Sequence, residues 1–343
     1  MNTRSTSNSS KKRFWHDVVQ RVCVDGIGGD RGKRLKVRPV CERLGYKRQS
    51  FYHEQKTRRR KAVDETLVID AVVRARMVHP RCGTRKLLAY TQADLARGGL
   101  SIGRDRLFDI LRTHDMLVKR RKAFVPHTTQ FDESLPVSHN LVIGRVFDGP
   151  NQVFVADITY IRCKDRFLYL TLVTDLFCKD IVGWYLSEDL KTDGCLKALE
   201  MAYRIVPPGA TVIFHSDRGC QFASKEFRLR LKEYGMLSSM TEELHCYENS
   251  IAERVNGILK QEYYLDVEFN GYEDALAAVK HVIEVYNTLR IHDAIGGIVP
   301  SEARRNPDLA RPFVVAIQKA AIERAEERKA RIAANMKDAK EAA

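Results

Sequence analysis

From Gln152 onward the chain runs through strand-like and helix-like segments in an order that leaves few folds open. QVFVADITYI (152–161), FLYLTLVTDLF (167–177) and DIVGWYLSED (180–189) read as three strands joined by short turns at Lys164-Asp165 and Cys178-Lys179. A helix from Asp193 to Ile205 stops at Pro207-Pro208-Gly209, and a buried strand then ends at Ser216. A helix from Lys225 to Tyr234, a short fifth strand from Leu237 to Met240 and an amphipathic helix around Glu253 complete the series. A meander that passes into alternating helices and strands builds a mixed sheet covered by helices.

Three carboxylates fall at telling places in that series. Asp157 interrupts a strand, where a charge is out of place unless it is used. Asp217 follows the apolar run Thr211-Val212-Ile213-Phe214, just past the C-terminal end of a buried strand, where open α/β sheets place their ligands. Glu253 lies on the amphipathic helix, and Asn249, Asn256 and Lys260 share its face. Carboxylates brought together repel one another, and a pair of hard divalent cations relieves the repulsion. Two Mg²⁺ ions, with Mn²⁺ as a substitute, would activate a water or a DNA 3′-hydroxyl and stabilise the leaving oxygen. His215 and Gln221, close in sequence to Asp217, are supporting candidates; a packed histidine is an equal reading of His215. Asp175, at the end of its strand run, reads as a turn residue.

Charge divides the chain sharply. Residues 1–130 carry 31 Lys and Arg against 12 Asp and Glu, a net of +19, whereas the remainder carries 27 against 32, a net of −5. Such a distribution is the footprint of a phosphate-binding region ahead of the sheet. RPVCERLGYKRQSFYHEQK (38–56) reads as a helix-turn-helix, with Lys47, Arg48 and Gln49 heading the second helix where major-groove readers place base contacts. The run Lys56 to Lys61, with Arg58, Arg59 and Arg60, reads as a linker touching phosphates. A second helical unit holds Arg85 and Lys86 after the turn HPRCGTRK, Arg104 and Arg106 at its last helix, and Lys119, Arg120, Arg121 and Lys122 at its close. The eight cysteines include no C-x-x-C pair, which argues against a zinc ribbon and a disulfide framework and for a reducing cytoplasm. No apolar run approaches membrane-spanning length.

Taken together, VADITYI, TLVTDLFCKDIVGW, HSDRGCQF, ENSIAERVNGILKQE and YNTLRIHDAIGGIVPSEA (286–303) resemble the DDE transposases of bacterial insertion sequences, specifically the OrfB type with a retroviral-integrase-like core. The resemblance implies an α/β ribonuclease-H-like catalytic core, a mixed five-stranded sheet with helices, preceded by all-α helix-turn-helix DNA-binding modules. It implies Asp157, Asp217 and Glu253 as metal ligands, and a structural or DNA-contact role for Tyr286, Asn287, Arg290, His292 and Pro300. Implied partners are double-stranded DNA, both the element's terminal inverted repeats and the target, and further copies of the chain on that DNA. An upstream reading-frame product is another, and the location would be cytoplasmic and nucleoid-associated. The expected division is a flexible or helical segment (1–35), a helix-turn-helix-like module (36–60), a second helical DNA-binding module (61–122), a connector (123–147), the core with its closing motif (148–305) and a charged helical tail (306–343). Departures from the family pattern are Glu248, Arg254 beside Glu253, and the irregular 295–299. A ribonuclease or structure-selective nuclease of the same ribonuclease-H-like fold and a DNA-binding regulator with an inactive core are the competing readings.

Overall fold

A computed structural model describes residues 8–26, 34–119, 137–242 and 250–341. Arg120, Arg121, Lys122 and Asn249, as well as most of the expected 123–147 connector, lie outside them. The described residues fall into two compact units: one holds the chain up to Ala75 with Leu87–Leu117, the other Arg76–Lys86 with Val118 onward.

The first unit is helical. α1 (Asn8–Val19) continues into a π-helical turn, and α2 (Val37–Arg43) meets α3 (Arg48–Val78) through a turn at Gly45, whose φ of 62° favours glycine. Val19, Cys23, Cys41, Tyr46 and Phe51 form the small core beneath that turn. The basic run 56–61 is not a linker: α3 passes through it unbroken and crosses the expected boundary at residue 60. Nothing between Arg48 and Val78 is glycine or proline, Arg and Lys are good helix formers, and Arg58 pairs with Glu54 one turn earlier. α4 (Thr84–Arg97) and α5 (Arg104–Thr113) bury Leu87, Leu95, Leu107, Ile110 and Leu111.

The second unit is a mixed sheet between helices. β1 (Val153–Cys163), β2 (Phe167–Asp175) and β3 (Ile181–Ser187) form the antiparallel meander; β4 (Ile213–Ser216) and β5 (Leu237–Met240) add in parallel on the other side of β1, in the order β3-β2-β1-β4-β5. A sixth strand, β6 (Glu268–Phe269), pairs with the far end of β1; two residues are too few for a periodicity to betray. α6 (Thr192–Tyr203), α7 (Cys220–Ala223) and α8 (Lys225–Glu233) cover one face through Ala198, Leu199, Phe222 and Phe227. α9 (Ser250–Tyr263) and α10 (Tyr272–Thr288) cover the other through Val255, Ile258, Leu259, Val279 and Ile283. α11 (Pro300–Arg305) and α12 (Pro307–Glu341) follow. The tail is not wholly solvated: Ala310 and Val314 pack with Phe177 and Ile295, and Gln318 bonds the Phe147 backbone at both N (3.0 Å) and O (2.8 Å).

One glycine fixes how closely α6 approaches the sheet. A Cβ on Gly183 of β3 would lie 2.1 Å from the Ala198 carbonyl oxygen. Gly183→Ala should therefore cost about 1–3 kcal/mol, read as a lower denaturant midpoint at unchanged slope; a midpoint within error of wild type would show that the layers are not in contact there.

Candidate active site

Register brings the two aspartates together. Ser216 pairs with Ala156 in the parallel β1–β4 ladder, so the next rung sets Asp157 against Asp217; neighbouring strands lie about 4.8 Å apart. Asp217 has just left the sheet, and its Oδ1 accepts the Gly219 N–H at 3.1 Å, which fixes the turn. A third element reaches in from above: Asn256 of α9 is buried and donates from Nδ2 to Asp157 Oδ2 at 2.7 Å, while the Ile158 N–H binds Oδ1 at 2.9 Å. Glu253 is three residues earlier on the same face, exposed at the first turn of the helix.

The electrostatics join all three groups. Burial, then the Asp217 carboxylate, push Asp157 up to about 7, with Glu253 adding to the rise against the pull of Asn256 and the Ile158 N–H. Glu253 is raised by burial and by Asp217. Lys260, one turn beyond Asn256, is lowered by burial and held up in part by Asp157. Asn256 Oδ1 is buried with no protein hydrogen-bond partner, so its free acceptor joins a set of hard oxygen donors. Oxygen-only ligands with surplus negative charge are what Mg²⁺ takes, and the donor set of Asp157, Asp217 and Glu253 fits that ion.

The supporting candidates separate. His215 is fully buried, its Nδ1 sharing a hydrogen bond with Ser239 Oγ of β5 at 2.9 Å, and so ties two strands together. Gln221 donates to the Leu190 carbonyl at 3.0 Å, anchoring α7 to the loop after β3. Among the DNA-binding candidates, Lys47, Arg48, Gln49, Arg59, Arg60, Arg85 and Lys119 are exposed. Arg58 is drawn to Asp17 and Glu54, Arg104 to Asp105, and Arg106 to Glu65. Lys86 is half-buried, lowered by burial and by Arg290.

The closing motif is internal. Tyr286 donates to the Lys179 carbonyl at 2.9 Å, and the Asn287 side chain pairs with both backbone groups of Ile181, at 2.9 and 3.0 Å, as a strand would. Arg290, 1 % exposed, holds Glu262 of α9 through two 2.9 Å bonds. Among the described residues, only Asp175, Cys178 and Asp180 bring three possible ligand atoms within 4.8 Å of one another. A cation is already there: Arg304 of α11 donates to Asp175 and to Asp180, while Asp175 also accepts the N–H groups of Asn151, Phe177 and Cys178. Asp175 is a turn residue, as its position implied. Its arginine, 129 positions away, carried no local signal.

Comparison with known proteins supplies the family. The family described as Integrase core domain matches residues 148–246, and a second family of that description matches 234–300. An uncharacterized 31 kDa protein of insertion element IS600 from Shigella sonnei is 33% identical over 77% of this chain and 97% of its own. Transposase InsF for insertion sequence IS3A of Escherichia coli (strain K12) is 34% identical over 58% of this chain and 69% of its own. The HTLV-2 integrase catalytic core domain, solved in complex with magnesium, is 20% identical and covers 46% of this chain and 98% of its own, with a TM-score of 0.37. At 33% and 34% identity over 97% and 69% of these two insertion-sequence proteins, the chain belongs to the insertion-sequence DDE transposases, enzymes of the polynucleotidyl transferase class with an integrase core.

Proposed function

We propose that this transposase cleaves DNA at the ends of its own insertion sequence and joins those ends to target DNA by in-line transesterification. Asp157, Asp217 and Glu253 would hold the metal ions. The observation that carries the reading is the register that sets Asp157 against Asp217, with Asn256 of the helix that bears Glu253 bonded to Asp157 at 2.7 Å. Two Mg²⁺ ions would supply Lewis acidity at the scissile phosphorus and a nucleophile at neutral pH.

The chain's own residues do the rest. Asn256 orients Asp157 through Oδ2, and the Gly219 N–H orients Asp217. Lys260, on the same helical face, is placed to meet a phosphate. The net +19 of residues 1–130 supports duplex binding, with the exposed Lys47, Arg48 and Gln49 at the head of α3 as the base-reading edge. The relatives' printed names support an insertion-sequence end as the DNA recognised and the chain's own element as its source. Further copies of the chain on that DNA would bring two ends to one target.

The test is cleavage and joining of labelled duplexes carrying candidate element ends, in Mg²⁺, Mn²⁺ and EDTA, with Glu253→Gln beside the wild type. Metal-dependent nicking followed by joining, both lost in the variant, is the expected result. Nicking without joining would replace the reading with a nuclease. Tight binding without chemistry in either protein would replace it with a regulator.

A further inference from the structure

The far end of α9 is held by residues that the chemistry above does not use. Arg76–Lys86 belong to the same compact unit as the sheet, although the helices on either side of them run largely in the other unit. Within this stretch His79 is 5 % exposed, and its Nδ1 shares a 2.9 Å hydrogen bond with Tyr263 Oη, the two rings meeting edge to face. The Arg81 N–H donates to the Glu262 carbonyl at 3.2 Å, satisfying one of the carbonyls that a helix leaves open at its C-terminus. The Arg81 guanidinium lies 5.6 Å above the Tyr264 ring and donates to the Lys119 carbonyl at 2.7 Å. Tyr264 ends the helix with a φ of 64°, and Cys82 is buried beside this contact. From another side Arg290 grips the Glu262 side chain.

We propose that the His79–Cys82 turn is a positioning clamp for Glu253, with His79 and Arg81 fixing the rotation of α9 about its axis. This rests on the reading of Glu253 as a metal ligand. Glu253 sits nine residues before Glu262, about 13.5 Å along the helix, and its own side chain is exposed. A carboxylate some 6 Å from a helix axis moves about 1 Å for each 10° of rotation, and a ligand site tolerates about half that. The apolar stripe of Val255, Ile258 and Leu259 resists withdrawal of the helix through contacts that are non-directional. Its rotation is set by directional bonds, Asn256 to Asp157 near one end and the His79 and Arg81 bonds at its last turn. His79 and Arg81 act on Glu253 through the helix, without touching metal or DNA.

The experiment uses the full chain, with Mn²⁺ alone as the probe, followed by loss of the free-ion electron paramagnetic resonance signal. His79→Leu, His79→Asn, Tyr263→Phe and Glu253→Gln are compared, each with a thermal melt. Tyr263→Phe and His79→Leu should weaken Mn²⁺ binding about tenfold, and His79→Asn, which keeps a hydrogen-bonding atom near Nδ1, should stay within about threefold of wild type. Tyr263→Phe removes one hydroxyl and keeps the ring, so it reports even if His79→Leu does not fold. Weakened Mn²⁺ binding in Glu253→Gln with none in Tyr263→Phe or His79→Leu would overturn the clamp. So would equal losses in His79→Leu and His79→Asn that follow melting temperature alone. Unchanged Mn²⁺ binding in Glu253→Gln would instead overturn the ligand reading, and the clamp with it.

Discussion

Asp157→Asn should abolish strand cleavage and yet leave the folded protein more stable than wild type at pH 8. The loss of activity follows from the proposed role of Asp157 as a metal ligand; about 4 kcal/mol of transition-state stabilisation is roughly a thousandfold in rate. The gain in stability follows from the direction of the pKa shift. Burial, Asp217 and Glu253 raise Asp157 from 3.8 to about 7 in the folded state. The native protein therefore holds this proton more tightly than the unfolded chain does. That contribution is complete below about pH 4, is lost as pH rises towards 7, and is absent at pH 8. An amide carries no charge to lose, so the variant escapes a cost of at most about 4 kcal/mol, less because the side chain is half-buried. Melting curves at pH 4 and pH 8 check it: the two proteins should converge at pH 4 and separate at pH 8, and Mg²⁺ should raise the wild-type midpoint alone. A variant that melts below wild type at pH 8 would show that the carboxylate cluster is not under strain.

Arg304→Ala should destabilise the second unit by about 3–5 kcal/mol, because it strands Asp175 and Asp180 as buried charges without their cation. Asp175 is fully buried and Asp180 is 6 % exposed, so water cannot replace the guanidinium. In a unit of this size the loss corresponds to a fall of about 10 °C in Tm. Arg304→Lys should recover only part of it, since an ammonium cannot span Asp175, Asp180 and the Asn151 side-chain oxygen that the guanidinium reaches. Adding Asp180→Asn to Arg304→Ala should restore some stability by removing one unpaired charge. Urea unfolding measures all three, and a cost under about 1 kcal/mol for Arg304→Ala would mean that the node is open to solvent. Rescue of Arg304→Ala by Mg²⁺ would mark the vacated node as one that can take a metal cation; in the wild type the guanidinium fills it.

The sheet was legible because its signals are local. Alternation in QVFVADITYI, the apolar run before Asp217 and the stop at Pro207-Pro208-Gly209 each lie within a few residues of what they specify. Asp157 and Asp217 stood out because a charge in a strand and a charge at a strand end are both costly without a use. The helix carrying Glu253 showed its face through spacing, but not that Asn256 would be buried and bonded to a carboxylate 99 residues earlier. The basic run 56–61 misled as to a linker, because Arg and Lys are also good helix formers and the helix runs on through them. Arg304, Gln318 and the His79–Tyr263 pair were hidden for a common reason: each joins segments more than a hundred positions apart. No residue type forecasts such a partner.

The β1–β4 ladder makes this enzyme sensitive to the length of a strand as well as to its side chains. Asp157 meets Asp217 only because four paired rungs, Val153 to Ala156 against Ile213 to Ser216, count out the distance. Deleting one residue among those rungs turns Asp157 to the opposite face of the sheet, among Phe154, Val173 and Phe214. Deleting two restores the face but slides the carboxylate about 6.6 Å along the strand, out of reach of Asn256. Codon losses in this short stretch should therefore silence a copy of the element outright, whereas exchanges of one apolar residue for another there should leave it mobile.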